Sequence, residues 1–414
     1  MNFILGAIKI IFVLGFLIFI HEGGHFLVAI WCKVKVKEFA IGFGPQIFSK
    51  NIKDTKFSLR LIPFGGFVDM LGESERVQKE GSFSSTNVWK RILIVAAGAI
   101  VNITFALILY FSLIFITSNN VSTTIDSIMP EYSENLTGLK ANDKIVSIDG
   151  NKIHLKTDIN LILNELKKDE VIVTVERNNK KIDVKVKPTK LPQNKIGIYF
   201  ENNTDNKIDY IEPNMPAYNS QILQGDEIIS INDIEILNTE QIINQISESK
   251  NVKLKINRNN EILEFNLDTI EQNYYYLGVI NKVAENNFGN NVYYAYWETV
   301  KFVSDIFNNL KDLFIGNISV KQLSGPIGIS EYIVKTDTVY NFVYMISLIS
   351  LSLGITNLLP IPALDGGRIF LLIIEAIRRK PLEEELEMKI QTVGFLLIIG
   401  LSIYVSLNDI LRIF

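Results

Sequence analysis

Four long apolar stretches limit what this chain can fold into more than any motif does, because they read as membrane spans. Ile92 to Thr117 contains no charged residue, and about 20 consecutive apolar residues in a helix cross a hydrocarbon core of about 30 Å. A second charge-free run extends from Thr338 to Leu364, and a shorter one from Ile390 to Leu407. At the N-terminus, Asn2 to Trp31 is broken only by Lys9 and by His21, Glu22 and His25. A cleaved signal peptide is the competing reading of that first run. It is too long for one, no small-residue cleavage site follows it, and polar chemistry sits in its interior. Trp31, Trp89 and Tyr404 lie near span ends, where interfacial aromatics collect. The composition agrees, since 48% apolar residues and a mean hydropathy of +0.21 are high for a soluble chain.

The loop after the first span carries Lys33, Lys35, Lys37, Lys50, Lys53, Lys56, Arg60, Lys90 and Arg91, and such basic loops stay in the cytoplasm. Arg378, Arg379 and Lys380, between the third and fourth spans, fall on the same side by alternation. The termini and the hydrophilic stretch Ser118 to Asp337 are then expected outside. That stretch repeats itself. With Asp143 laid on Asp226, Lys140 to Asp149 matches Leu223 to Asn232, a turn leading into an alternating strand, and a second alternating strand follows in each copy, Val171 to Arg177 and Val252 to Arg258. Asn142 stands where the second copy has Gly225, a tolerable exchange because asparagine accepts positive φ more readily than other non-glycine residues. On this pattern each copy resembles the PDZ family. After them, Tyr293 to Leu310 has apolar residues at helical spacing and predicts an amphipathic helix.

Composition also removes function classes. A net charge of −4 lacks the basic excess of a nucleic-acid footprint. The single Cys32 rules out an internal disulfide and a multi-cysteine zinc site, so a metal must be held by His, Asp or Glu. Of three histidines, two are His21 and His25, four apart on one helical face, with Glu22 turned about 100° away. His-Glu-Gly-Gly-His is the zinc-hydrolase pattern, in which the ion lowers the pKa of a water and the glutamate takes its proton. A buried polar network is the alternative, but three ionisable groups in one span are costly without a compensating cation.

A catalytic zinc usually has three protein ligands. His154 lies in the outer stretch, so the candidate third ligand is Asp365, in the run Asn357-Leu-Leu-Pro-Ile-Pro-Ala-Leu-Asp-Gly-Gly367, where prolines break the helix and glycines allow close backbone approach. A helix N-cap is the other reading of Asp365. Between the first two spans, Gly42-Phe-Gly44 and Phe57 to Val68 alternate like strands and carry the turn glycines Gly65 and Gly66. Their apolar character predicts a β-hairpin that re-enters the membrane, an ordinary cytoplasmic hairpin with no substrate role being the other reading.

These motifs, with Gly98 and Asn102 in the second span and Ser324-Gly-Pro-Ile-Gly328 before the third, resemble the site-2 protease family along essentially the whole chain, in its bacterial group with two PDZ domains. Gly98-Ala99 departs from the Gly-Pro often found there. The resemblance implies a zinc metalloendopeptidase with one Zn2+ per chain, ligated by His21, His25 and Asp365, with Glu22 as the catalytic base. It further implies that Asn357 helps hold substrate, and that an edge strand of the hairpin, with Gly42, Gly44, Gly65 and Gly66, pairs with the opened peptide. Implied partners are membrane lipid and single-pass transmembrane substrates, namely pre-trimmed anti-sigma factors and signal-peptide remnants. The implied location is the bacterial cytoplasmic (inner) membrane, in a stress response. Rival classes are a zinc-binding scaffold, which would favour four protein ligands, and a metal or proton transporter, which would need more acids along the spans.

The expected architecture is thus a polytopic α-helical membrane protein with four transmembrane helices, a re-entrant β-hairpin and two extracytoplasmic α+β PDZ domains. Its expected divisions are 1–117 and 338–414 for the two membrane segments, 118–197 and 198–285 for the two domains, and 286–337 for the amphipathic helix and linker.

Overall fold

In the computed structural model the chain divides into two compact units, Met1–Leu113 with Leu323–Ile410, and Ile114–Gln322 with Leu411–Phe414. The structure describes residues 2–73, 75, 77–118, 120–132, 138–200, 206–208, 210–212, 215–258, 261–316, 325–336 and 338–413. Ser324 of the Ser-Gly-Pro motif and the boundary residue Asp337 lie outside them.

Among the described residues four helices are long and apolar enough to cross a membrane, within Ile8–Trp31, Val88–Thr117, Val339–Leu358 and Glu384–Leu407, all in the first unit but for the last turn of the second. The third ends six residues earlier than its apolar run, because Pro360 and Pro362 cannot continue a helix. A separate helix, Asp365–Arg378, then begins, which the sequence reading had treated as a mere connection. The fourth helix runs from Glu384 to Ile413, past the expected end, and carries a fully buried acid, Asp409. Asp409 Oδ2 accepts a hydrogen bond from Gly328 N at 2.9 Å, in the first turn of the helix Pro326–Lys335.

Glycines set the helix packing. A Cβ on Gly24 of the first span would stand 2.6 Å from Ala97 O of the second, and one on Gly354 of the third 2.8 Å from Ala99 O. Small residues let backbones approach where apolar surroundings supply no hydrophobic drive.

Between the first two spans the strands Val36–Ile52 and Thr55–Met70 form the expected hairpin, turning at Lys53 with φ 53°. Each strand also folds back on itself. Val36–Ile41 has partners on both sides, Gly66–Met70 and Lys56–Leu59, while Gln46–Ile52 faces Thr55–Arg60. The bends fall at Gly42, Gly44 and Gly65, with φ of 87°, 80° and 98°, values costly for any residue with a Cβ. Segment Gly66–Met70 therefore borders the sheet.

In the second unit, the sheet order is Val279–Val283, Val121–Ile128, Lys144–Ile148, Val171–Arg177, Lys180–Val186, with the helix Lys156–Leu166 packed on it. A second sheet runs Ile234–Glu235, Glu227–Ile231, Asn251–Arg258, Glu261–Asp268, beside the helix Thr239–Glu248. The internal repeat is visible atom by atom. Arg177 Nε and Nη2 donate to Asp143 at 2.6 and 2.7 Å and Nη2 also to Gly138 O, while Arg258 donates to Asp226 at 2.8 and 2.7 Å and to Gln221 O. Asn142 and Gly225 share positive φ, 72° and 91°. Burial would raise the Asp143 carboxyl, but Arg177 and the Lys140 N–H outweigh it and hold the group below the usual carboxylate range.

The two copies are not consecutive, however. Tyr275, Leu277 and Val279, assigned by sequence to the second domain, pack in the core of the first with Ile125, Ile145 and Val173, and Ile196 packs in the core of the second. An antiparallel ribbon, Thr189–Lys195 with Ile270–Tyr276, carries the chain out and back. The second copy is thus inserted in the first, and the expected division at 197/198 does not separate the two cores. The amphipathic helix is longer than expected, Phe288–Ile315, capped by the Asn287 side chain and ended by Gly316 at φ 89°.

Candidate metal centre

The first span places His21 and His25 one turn apart, with their rings 4.8 Å apart edge to face. Their Nε2 atoms are separated by 3.2 Å. Asp365 Oδ2 lies 3.2 Å from the first and 3.4 Å from the second. Residues separated by 340 positions of sequence meet because the helix Asp365–Arg378 starts at Asp365 itself. Leading into it, Ala363 adopts φ 73°, and its N–H is held by Gln391 Oε1 at 2.6 Å. Gly366 and Gly367 lie so close to the incoming segment that a Cβ would stand 2.1 and 2.3 Å from the carbonyls of Leu359 and Ile361. Asp365 is therefore not a capping residue that closes on its own helix. It is the first helical residue, its carboxylate turned to the histidines.

The donor set fits a metal ion. Ligands about 2.05 Å from a tetrahedral zinc lie about 3.3 Å from one another, and the three observed separations are 3.2, 3.2 and 3.4 Å. Asp365 Oδ2 is buried and makes no hydrogen bond of good geometry among the described residues, although it faces two imidazole nitrogens. The donor atoms of His21, His25 and Asp365 form the group able to hold a metal among the described residues. Imidazole and carboxylate suit zinc, and one position stays open.

Around this triad the second span forms a seat. His25 Nδ1 faces Ile94 O at 2.9 Å, His21 Nδ1 faces the Asn102 carboxamide at 3.4 Å, and Gly98 lies between. A Cβ on Gly98 would stand 2.4 Å from His25 Nε2 and 2.9 Å from His21 Cε1. Glu22, half-buried, borders the sheet, since a Cβ on Gly66 would stand 3.0 Å from Glu22 Cγ. Gly66 is thus the candidate glycine that meets Glu22. Gly42, Gly44 and Gly65 make the bends, and Gly65 is pressed on the Phe43 ring.

Asn357 lies in the last turn of the third span, half-buried, and has no hydrogen bond to the triad among the described residues. His154 belongs to the other unit, stacked on Trp297 at 3.3 Å with its Nδ1 near Tyr293 Oη. Arg368, one turn after Asp365, pairs with Glu73, and Arg91 pairs with Glu375 further along the same helix. Sequence reasoning gave no role to Ile94, Arg368 or Glu73. A main-chain carbonyl carries no residue signature, and the two ion pairs bridge distant segments.

The family model described as Peptidase family M50 matches residues 9–401 of this chain. A provisionally named zinc metalloprotease of Fusobacterium nucleatum is 30% identical over 411 residues, 97% of each chain. The regulator of sigma E protease of Haemophilus influenzae is 28% identical over 446 residues, covering 100% of both. Among solved structures, a PDZ domain bound to a phage-derived ligand matches 21% of this chain and 94% of its own at 15% identity, with a TM-score of 0.19, too slight to carry an argument.

Proposed function

The chain belongs to peptidase family M50, the site-2 protease family, and is a zinc metalloprotease; on that premise we propose that it cuts peptide bonds inside the membrane spans of single-pass proteins, with His21, His25 and Asp365 holding the zinc and Glu22 moving the proton. The observation that carries this reading is the meeting of three buried donor atoms at 3.2 to 3.4 Å within an apolar span. When bound there, zinc supplies Lewis acidity toward water and the scissile carbonyl.

Glu22 takes a proton from the attacking water and returns it to the leaving amine, as a carboxylate beside the reacting atoms can. The border segment Gly66–Asp69, which among the described residues has a strand partner on one side only and meets Glu22 at Gly66, offers its other side to an unwound substrate. That side matters because a helical substrate has its amides satisfied internally and must find new partners once opened. Asn357 would hold the substrate from the third span. The exposed side chains of Ile47, Phe48, Leu61 and Ile62 support a sheet that re-enters the bilayer, where such a surface is stable. The basic loop between the first two spans supports an orientation with that sheet on the cytoplasmic side of the inner membrane and the paired PDZ-like copies outside. The H. influenzae relative's name, regulator of sigma E protease, favours pre-trimmed anti-sigma factors as substrates.

Glu22→Gln tests the core of this reading. Purified protein should keep one zinc per chain while cleavage of a model single-pass helix falls by about 10⁴ or more. Cleavage at the parent rate would refute the assignment of the base, and loss of zinc would refute the separation of ligands from base.

A further inference from the structure

Ile94, Gly98 and Asn102 recur every four residues along the second span and so share one face of it. Each meets the histidine pair differently: Ile94 O at His25 Nδ1, Gly98 as clearance for both rings, and Asn102 at His21 Nδ1. The His25 contact defines its tautomer. A proton on Nδ1 donated to a carbonyl leaves the Nε2 lone pair free for a metal, the usual arrangement behind metal-binding histidines.

His21 has the same need. Its Nε2 is the atom that faces His25 Nε2 and Asp365 Oδ2, so ligation requires the proton on Nδ1 and an acceptor beyond it. Asn102 stands there. It is fully buried, its backbone is anchored by Ser350 Oγ donating to its carbonyl at 2.9 Å, and its Oδ1 has no hydrogen-bond partner among the described residues. A buried acceptor without a partner calls for an explanation. The atom placed 3.4 Å from His21 Nδ1 is the amide Nδ2; a half-turn of the carboxamide exchanges its oxygen and nitrogen, and brings the acceptor to His21 Nδ1 instead.

We propose that Asn102 is a positioning residue for the zinc: its carboxamide oxygen accepts the Nδ1 proton of His21 and fixes the tautomer that turns the Nε2 lone pair onto the ion. This rests on the reading that His21, His25 and Asp365 are the ligands.

The test compares Asn102→Leu, which matches the volume without hydrogen bonding, with Asn102→Asp, which can only accept. Zinc affinity of the purified full chain is measured by competition with a chromophoric chelator, and melting is followed with and without zinc to read any merely structural effect. Asn102→Leu should bind zinc about 10- to 100-fold more weakly, with melting of the zinc-free protein unchanged, and Asn102→Asp should stay within about threefold of the parent. Parent-like affinity in Asn102→Leu overturns the proposal. So does an equal loss in both variants, because the amide donor would then be what matters. If Asn102→Leu does not fold, Asn102→Asp decides alone, retention of zinc supporting the proposal and loss overturning it. His21→Ala separates the premise: if it binds zinc as the parent does, the ligand assignment fails, whatever Asn102 does.

Discussion

Gly98→Ala adds a single methyl group where the structure has least room for it. The new carbon would stand 2.4 Å from His25 Nε2, 2.8 Å from its Cε1 and 2.9 Å from His21 Cε1. Ordinary contact begins near 3.5 Å, so the imidazole must withdraw by about 1 Å. Withdrawal of the second span is opposed by the third, since Ala99 O passes so close to Gly354 that a Cβ there would stand 2.8 Å away. Metal ligands tolerate errors of about 0.2 Å, and a displacement near 1 Å costs about 100-fold, equivalent to about 2.7 kcal/mol. Zinc affinity, read by chelator competition on the purified protein, should fall by that factor. Gly23→Ala is the matched control, since it lies inside the His-Glu-Gly-Gly-His motif yet a Cβ there meets nothing within 4 Å, and it should bind zinc as the parent does. Unchanged affinity in Gly98→Ala, or an equal loss in Gly23→Ala, would refute the steric argument.

Arg368→Met and Glu73→Gln each break the pair that ties the helix of Asp365 to the segment following the border strand. Each should lower the cleavage rate by about tenfold with zinc content intact, and the double variant should be no worse than either, as one shared interaction requires. In the second unit, Asp143 has its folded pKa depressed by Arg177. Its contribution is therefore present above the unfolded carboxylate value of about 3.9 and is lost as pH falls through the lower folded value. Melting of the second unit, followed by circular dichroism, should drop more steeply below about pH 4 in the parent than in Asp143→Asn; parallel slopes would count against the pair.

His21, His25 and Glu22 could be read directly because a helix converts a spacing of four into one face, and ionisable side chains stand out in an apolar span. Asp365 was legible for the same reason, as an acid beside broken helix. The repeat around Asp143 and Asp226 was visible because turn and strand chemistry are local. What escaped was non-local. The return of Val279–Val283 to the first sheet depends on pairing with Val121–Ile128 far earlier in the chain, and an alternating strand pattern does not specify its partner. The folding back of each hairpin strand arises at glycines that the sequence marks only as turns. Asn102 and Gly98 could be picked out as a motif, but their action on the histidines depends on the rotation of one helix against another.

The pairing of Val121 with Val283 has a consequence for how the two halves of the metal site find each other. His21 and His25 precede the inserted unit and Asp365 follows it, so an unstructured insertion would impose a loop-closure entropy growing with its length. Folding of the unit removes that dependence, since entry and exit strands become neighbours and everything between them counts as a short connection. Residues can be added inside the unit, or its second copy enlarged, without making the metal site harder to close.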